Sequence, residues 1–484
     1  MQPPLPLIWR PKTLVKAPSG TYTGTLQRNV LVYRGIFYGS AKRFMAPVEV
    51  KNRQDPDQAY ACPQVGLPWV TRDEDCLHLN IYAATSERPK PVLVYIHGGS
   101  FMRGSNNDLS IQGQRLAAGT DSIVVTVNYR LGVFGFLDFS DIDARFSSNP
   151  AVEDLLLALR FIKKNIAAFG GDADNITLMG ESAGGSLAAL LSTLLSDDTF
   201  HKTILSSPVP TAFISKEKSD ERTHAFMKTA DLSSVDELCE MPAATLVETA
   251  AAFCESSKLG FSTFSPAVDG ALVTKTPLRM QHEGLVKKRP TLIGVTADEM
   301  SFLQLPLVAD RWGIRNVLPR QLERESEAFI EKMEALYEEI FGKEHHLTQL
   351  YSDLIIRVST AWYAAETAAK QDVWLYNFAH AGPLVSRTPL KAFHTIDLYY
   401  LFDTLPLPMR IPSNRQMVAM IQNDLKQFFH TGRLPWQRAS KDLLYAKHYR
   451  QPPQFCSMLN PSVLDFWRQS KHYKNRLNPS FDDD

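Results

Sequence analysis

The 484-residue chain is poor in cysteine, carries no net charge and has no long apolar run. Each shortage removes a class of function. Lys plus Arg and Asp plus Glu number 52 each, so no global basic bias points to nucleic acid or to an anionic membrane surface. The most apolar stretches, "PVLVYI" and "SIVVTVNY", fall far short of the roughly 18 residues that a membrane-spanning helix needs. The start, "MQPPLPLIWRPKTLVKAP", is broken by prolines and has no apolar core of signal-peptide length. The five cysteines (Cys62, Cys76, Cys239, Cys254 and Cys456) show neither CxxC spacing nor a nearby histidine pair, so a metal centre is not expected. Spacing leaves both a disulfide and two independent buried thiols open for Cys62 with Cys76 and for Cys239 with Cys254.

What remains is the composition of a globular chain, with 44% hydrophobic and 21% charged residues. β-branched or aromatic runs at residues 31–38, 77–84, 92–98 and 122–130 read as strands. "AVEDLLLALRFIKKNIAAFGG" has helical spacing and a glycine stop; "NITLMG" then returns to strand, "GGSLAALLSTLL" to helix and "KTILSS" to strand. Further strands are predicted at 291–296 and 373–379. Strands separated by helices, several of them apolar on both faces, imply a largely parallel sheet covered on both sides, an α/β fold. Residues 302–370 change to a mostly helical pattern. Leu322, Phe329, Met333, Leu336, Tyr337 and Ile340 fall on one stripe there. That span reads as a helical insertion within a single domain of residues 1–484, packing its own core or serving as a lid or a partner surface.

"GESAGG", residues 180–185, leaves a strand through a glycine-rich turn with Ser182 at its apex. This is the strand–turn–helix setting that the G-x-S-x-G nucleophile elbow requires, although an ordinary tight turn has the same ingredients. A serine hydroxyl needs a base to take its proton and donors for the oxyanion that follows its attack. "YIHGGSFMRG" offers the backbone N–H groups of Gly99 and Ser100, and Ala183 offers a third. Beyond the strand at 291–296, "ADEMSF" supplies two acids, Asp298 and Glu299. "KAFHTIDLYYLF" supplies a candidate base, His394.

With those residues in place, the chain resembles the type-B carboxylesterases, an α/β-hydrolase family that includes bacterial para-nitrobenzyl esterases and cholinesterases. The resemblance rests on "EDCLHLNIY", "HGGSF", "VVTVNYRLGVFGFL", "FGGDADNITLMGESAGG", "GVTADEMSF" and "HTIDLYYLF", in the family's order and over nearly the whole chain. It implies a serine esterase with Ser182 as nucleophile, Glu299 rather than Asp298 as triad acid, and His394 as base. Gly99, Ser100 and Ala183 become the oxyanion donors, and Glu181 tunes charge beside the nucleophile. It also implies disulfides Cys62–Cys76 and Cys239–Cys254. The expected partner is a small-molecule ester, with neither metal nor organic cofactor, acted on by a monomer or weak homo-oligomer. The absence of a signal favours the cytoplasm, whereas the implied disulfides favour export.

Departures from the family pattern fall around the site rather than on it. Ser100 replaces the usual third glycine, Thr395 replaces the glycine after the histidine, and "GIFYGSAKRFMAP" is a contracted form of the family's longer segment. Trp69 lies where cholinesterases stack a quaternary ammonium, but a loop aromatic reads more simply as packing. Two rival readings are a hydrolase-fold binding protein that has lost catalysis and a lipase whose helical insertion is a mobile lid.

Overall fold

A computed structural model of the chain describes residues 12–55, 60–66, 70–85, 88–257, 259, 262–305, 322 and 325–471. Its main sheet has 12 strands. In chain order these are β1 (Lys12–Ala17), β2 (Gly20–Gln27), β3 (Val30–Phe37), β4 (His78–Ala84), β5 (Lys90–Ile96), β6 (Ile123–Val127), β7 (Gly171–Glu181), β8 (Lys202–Ser206), β9 (Thr291–Thr296), β10 (Val373–Phe378), β11 (Tyr445–Tyr449) and β12 (Gln454–Ser457). Across the sheet they lie in the order β1-β2-β3-β4-β6-β5-β7-β8-β9-β10-β11-β12. From β6 to β11 every neighbouring pair is parallel, and both flanks are antiparallel.

The parallel strands are the ones read most easily from sequence, because both of their faces are covered. β5, β6, β9 and β10 are buried at every position. Alternate residues feed two separate cores: Val92, Val94 and Ile96 face one, and Leu93 and Tyr95 face the other. Parallel neighbours need crossovers, and helices supply them. Helices α1 (Pro150–Asn165) and α2 (Ala183–Leu194) bracket β7, matching the predicted helical runs. The outer strands β1, β2, β11 and β12 escape a reading from sequence. β1 alternates exposed and half-buried residues in "KTLVKA" and has no apolar run to mark it.

Within residues 302–370 the described helices are α3 (Glu327–Phe341), a short helix at His346–Ser352, a π-helical turn at Asp353–Arg357 and α4 (Val358–Ala368). Residues 306–321, 323 and 324 of that span lie outside the described residues, as does Trp69. On the predicted stripe Leu322, Met333 and Tyr337 are buried, and Phe329 packs on Phe466 with ring centroids 4.5 Å apart. Among the described residues no helix is long and apolar enough to cross a membrane.

The structure corrects the expected disulfides: all five cysteines are free thiols. A disulfide needs an S–S separation of about 2.05 Å with matched Cβ vectors. Instead the Cys62 and Cys76 thiols are hydrogen-bonded neighbours, and Cys62 Sγ also accepts the Leu131 N–H at 3.2 Å. Cys254 Sγ packs 3.7 Å from Met102 Sδ, while Cys239 sits in the short helix Val235–Glu240.

Candidate active site

Loops that follow β5, β7, β9 and β10 converge at the carboxyl end of the sheet, where open α/β sheets place their ligand sites. Ser182 joins β7 to α2 with φ +55° and ψ −123°, a conformation that costs a non-glycine residue about 1–3 kcal/mol unless the surroundings impose it. The surroundings here are tight. A Cβ on Gly180 would meet Gly184 O at 2.0 Å, and one on Gly184 would meet Ile96 O at 2.2 Å. The Ser182 N–H donates to Ser206 O at 2.9 Å, and its carbonyl accepts the Ser186 N–H at 2.9 Å. Glycine on either side is therefore a packing requirement of the turn, and the strain leaves the Ser182 hydroxyl directed into the site.

His394 stands against that hydroxyl, with Nε2 2.9 Å from Ser182 Oγ. Its other nitrogen, Nδ1, lies 2.7 Å from Glu299 Oε2. The remaining Glu299 oxygen accepts the Ser207 hydroxyl at 2.6 Å and the Thr296 N–H at 2.7 Å. The backbone adds a further tie, His394 N–H to Glu299 O at 3.0 Å. Asp298, the alternative acid, is not part of this chain. Its carboxylate accepts Gln349 Nε2 and the Ala392 N–H, both at 3.2 Å, and so fixes the loop rather than the imidazole. Thr395, beside the histidine, has φ +73°. That region suits glycine and is an outlier for a β-branched residue, which accounts for the family's preference at this position.

Glu181 also reaches the imidazole, with Oε1 3.2 Å from His394 Nε2. Burial raises its pKa to about 8, against the opposing pull of the His394 charge. Glu299 is equally buried, but the His394 charge and the donors from His394, Ser207 and Thr296 outweigh that burial and hold its carboxyl below the ordinary range. For His394 itself burial disfavours the imidazolium, yet the charge of Glu181 and the Glu299 hydrogen bond prevail and raise it to about 9. Behind it Asp397 is pushed up to about 6 by burial, although it accepts bonds from Ser206 Oγ (2.8 Å) and the Tyr376 hydroxyl (3.1 Å).

The loop after β5 is folded back on itself. Gly99 has φ +113°, and a Cβ there would sit 2.0 Å from Arg103 O; Ser100 and Phe101 also take positive φ, +56° and +61°. Gly99 O accepts the N–H groups of Met102 and Arg103 at 3.1 Å each. Buried Gln64 clamps the loop's end by donating to Gly104 O at 2.9 Å and accepting its N–H at 2.8 Å. Ala183 opens α2, where amides lack intrahelical acceptors. Gly99, Ser100 and Ala183 all line one cavity with Ser182 and His394. Its volume is about 410 Å³. Met300, Phe302, Leu354, Ile355 and Phe393 contribute an apolar wall, and Thr211 and Ser265 contribute hydroxyls. Among the described residues no group of three or more His, Cys, Asp or Glu side chains is arranged to hold a metal ion.

Sequence reasoning missed Ser207, Asp397 and the clamp residue Gln64. Ser207 could have been suspected from its place just after a strand in "KTILSS", and Asp397 from its place inside "HTIDLYYLF"; Gln64 has no local signal.

The family model of the carboxylesterases matches residues 11–477. The para-nitrobenzyl esterase of Bacillus subtilis (strain 168) is 32% identical over 446 residues, covering 87% of this chain and 88% of that protein. Carboxylesterase 3 of Pongo abelii is 28% identical, covering 83% and 78% respectively. Among solved structures, a Geobacillus stearothermophilus carboxylesterase superimposes with a TM-score of 0.81 at 26% identity, covering 94% of this chain and 100% of its own. A thermophilic PNB esterase gives 0.80 at 27% identity, covering 94% and 99%. The chain belongs to the carboxylesterase family and is a carboxylic ester hydrolase.

Proposed function

We propose that ester hydrolysis proceeds by two-step acyl transfer on a Ser182–His394–Glu299 triad. The observation that carries this reading is the unbroken chain from Ser182 Oγ to Nε2 at 2.9 Å and from Nδ1 to Glu299 at 2.7 Å. His394 Nε2 takes the hydroxyl proton as Ser182 Oγ attacks the ester carbonyl. Glu299 accepts a hydrogen bond from Nδ1–H, fixes the tautomer and stabilises the imidazolium. The N–H groups of Gly99, Ser100 and Ala183 hold the oxyanion, each worth roughly 3–4 kcal/mol by comparison with other hydrolases. The imidazolium returns its proton to the departing alcohol. Water, deprotonated by the same histidine, then releases the carboxylic acid and restores the serine.

The cavity suits a small or medium ester with an apolar group against Met300 and Phe302. Para-nitrophenyl acetate, butyrate and octanoate, with a para-nitrobenzyl ester beside them, sample that range. Wild-type turnover that disappears in Ser182→Ala supports the proposal. Equal turnover by the two proteins would refute it.

A further inference from the structure

The π-helical turn Asp353–Arg357 does two things at once. The Val358 N–H bonds to Asp353 O, five residues back, so the turn carries one residue more than an α-helical turn. Such single turns recur at functional sites. The extra residue brings Leu354, Ile355 and Ile356 in succession onto the cavity wall, while both ends of the turn are buried and charged. Asp353 and Arg357 pair there, Nε to Oδ1, at 3.3 Å. Asp353 also accepts the Tyr337 hydroxyl at 2.8 Å, and that hydroxyl in turn accepts Trp467 Nε1 at 2.8 Å.

Arg357 turns the rest of its guanidinium to the loop that carries Glu299. Its Nη1 donates to Ala297 O at 3.2 Å and to Gln349 Oε1 at 2.7 Å. Gln349 Nε2 passes the contact on to Asp298 Oδ1 at 3.2 Å. One turn away the Ser352 hydroxyl oxygen accepts the Met300 N–H at 3.0 Å. Residues on both sides of Glu299 are thus pinned to one helical segment, and the opposite side of the loop is pinned to the histidine loop through Asp298 and Ala392. Glu299 has its own donors, Ser207 and Thr296, which orient the carboxylate; the segment at 349–357 sets where the backbone beneath it lies.

From this geometry we infer that Arg357 is a positioning residue for the reaction, locking the loop of the triad acid to the same turn that walls the substrate cavity. It touches neither substrate nor imidazole and acts through Ala297, Gln349 and Asp298. The inference rests on the triad proposed above. Displacing a catalytic group by about 1 Å can cost on the order of a hundredfold in rate, so the expected signature lies in kcat rather than in binding.

The test compares wild type, Arg357→Lys, Gln349→Ala and the double variant Asp353→Asn with Arg357→Met on para-nitrophenyl acetate and octanoate. Melting temperatures are recorded alongside. The double variant removes both buried charges together, which avoids leaving Asp353 unpaired. Its kcat should fall about tenfold or more on both esters alike, with KM for acetate held within about twofold. Arg357→Lys keeps a cation for Asp353 but loses the planar fork, so it should fall between the double variant and wild type. Gln349→Ala should show a smaller loss in the same direction. A purely structural wall would raise KM for octanoate and leave kcat for acetate unchanged, and that result in any variant that stays folded overturns the inference. Ser182→Ala, measured in parallel, separates the two levels. Activity lost there but unaltered by the Arg357 changes sinks only the positioning role, whereas activity retained there sinks the triad as well.

Discussion

The imidazole of His394 lies between two buried glutamates, and the two sides of the ring are built on opposite principles. On the acid side, Glu299 receives donors from His394, Ser207 and Thr296, so its charge is held below the usual carboxylate range in spite of full burial. On the nucleophile side, Glu181 Oε1 has no hydrogen-bond partner of standard geometry, and burial carries its carboxyl up to about 8. Identical side chains at similar depth are therefore pushed in opposite directions from the ordinary carboxylate range. Donors, rather than depth, decide which carboxylate works as an anion. The same ring can then have one partner that stabilises its charge throughout and a second that adds charge only as the pH rises.

Removing the anion from the acid side should have the largest effect. Glu299→Gln presents an amide to Nδ1 and disturbs the tautomer, so kcat should drop by about 10⁴ at pH 7 with KM little changed; steady-state kinetics on para-nitrophenyl butyrate would show it. A loss under tenfold would erase the asymmetry. Ser207→Ala removes one donor from Glu299 while leaving its charge. The carboxylate pKa should rise and kcat should fall roughly tenfold, by the usual strength of a charge-assisted hydrogen bond.

On the nucleophile side, Glu181→Gln should change kcat at pH 7 by less than about tenfold in either direction, because burial already disfavours the Glu181 anion. Its effect belongs in the pH profile. The neutral imidazole is the active form, and the Glu181 charge is among the causes that raise His394. Without that charge the histidine loses its proton at lower pH, so the acid limb of kcat/KM should move to lower pH. A limb that moves upward or stays fixed would break the comparison. Thr395→Gly is the smallest test. It relieves φ +73° next to the histidine and should stabilise the fold by about 0.5–1 kcal/mol, visible as a higher melting temperature with the pH limb unmoved.

Legibility followed covalent and steric constraint. The G-x-S-x-G turn and the strands β5 to β10 declare themselves by pattern, since Gly180 is demanded by Gly184 within the same turn, Gly184 by the close approach of Ile96 on the neighbouring strand, and the strands show as apolar runs. His394 and Glu299 were found as candidates from order along the chain, and the choice of Glu299 over Asp298 needed the family pattern. In space the distinction is plain, because Glu299 faces the ring and Asp298 faces Gln349 and Ala392. What stayed hidden acts over long sequence separations through polar groups: Ser207 on Glu299, Gln64 on Gly104, and Arg357 on Ala297. Such bonds leave no periodicity. The disulfides failed for a related reason: the Cys62 and Cys76 thiols are neighbours without a bond, and the Cys254 sulfur packs on Met102.

The measurement that bears most directly on the account is covalent trapping of the nucleophile. The protein is incubated with a para-nitrophenyl phosphonate ester, and both released nitrophenol and the intact and peptide masses are recorded. One equivalent of nitrophenol per chain, with the phosphonyl group on the peptide containing Ser182 and none in Ser182→Ala, is the predicted result. Stoichiometric labelling at another residue, or hydrolysis of para-nitrophenyl acetate that continues undiminished after Ser182 is fully labelled, would contradict it.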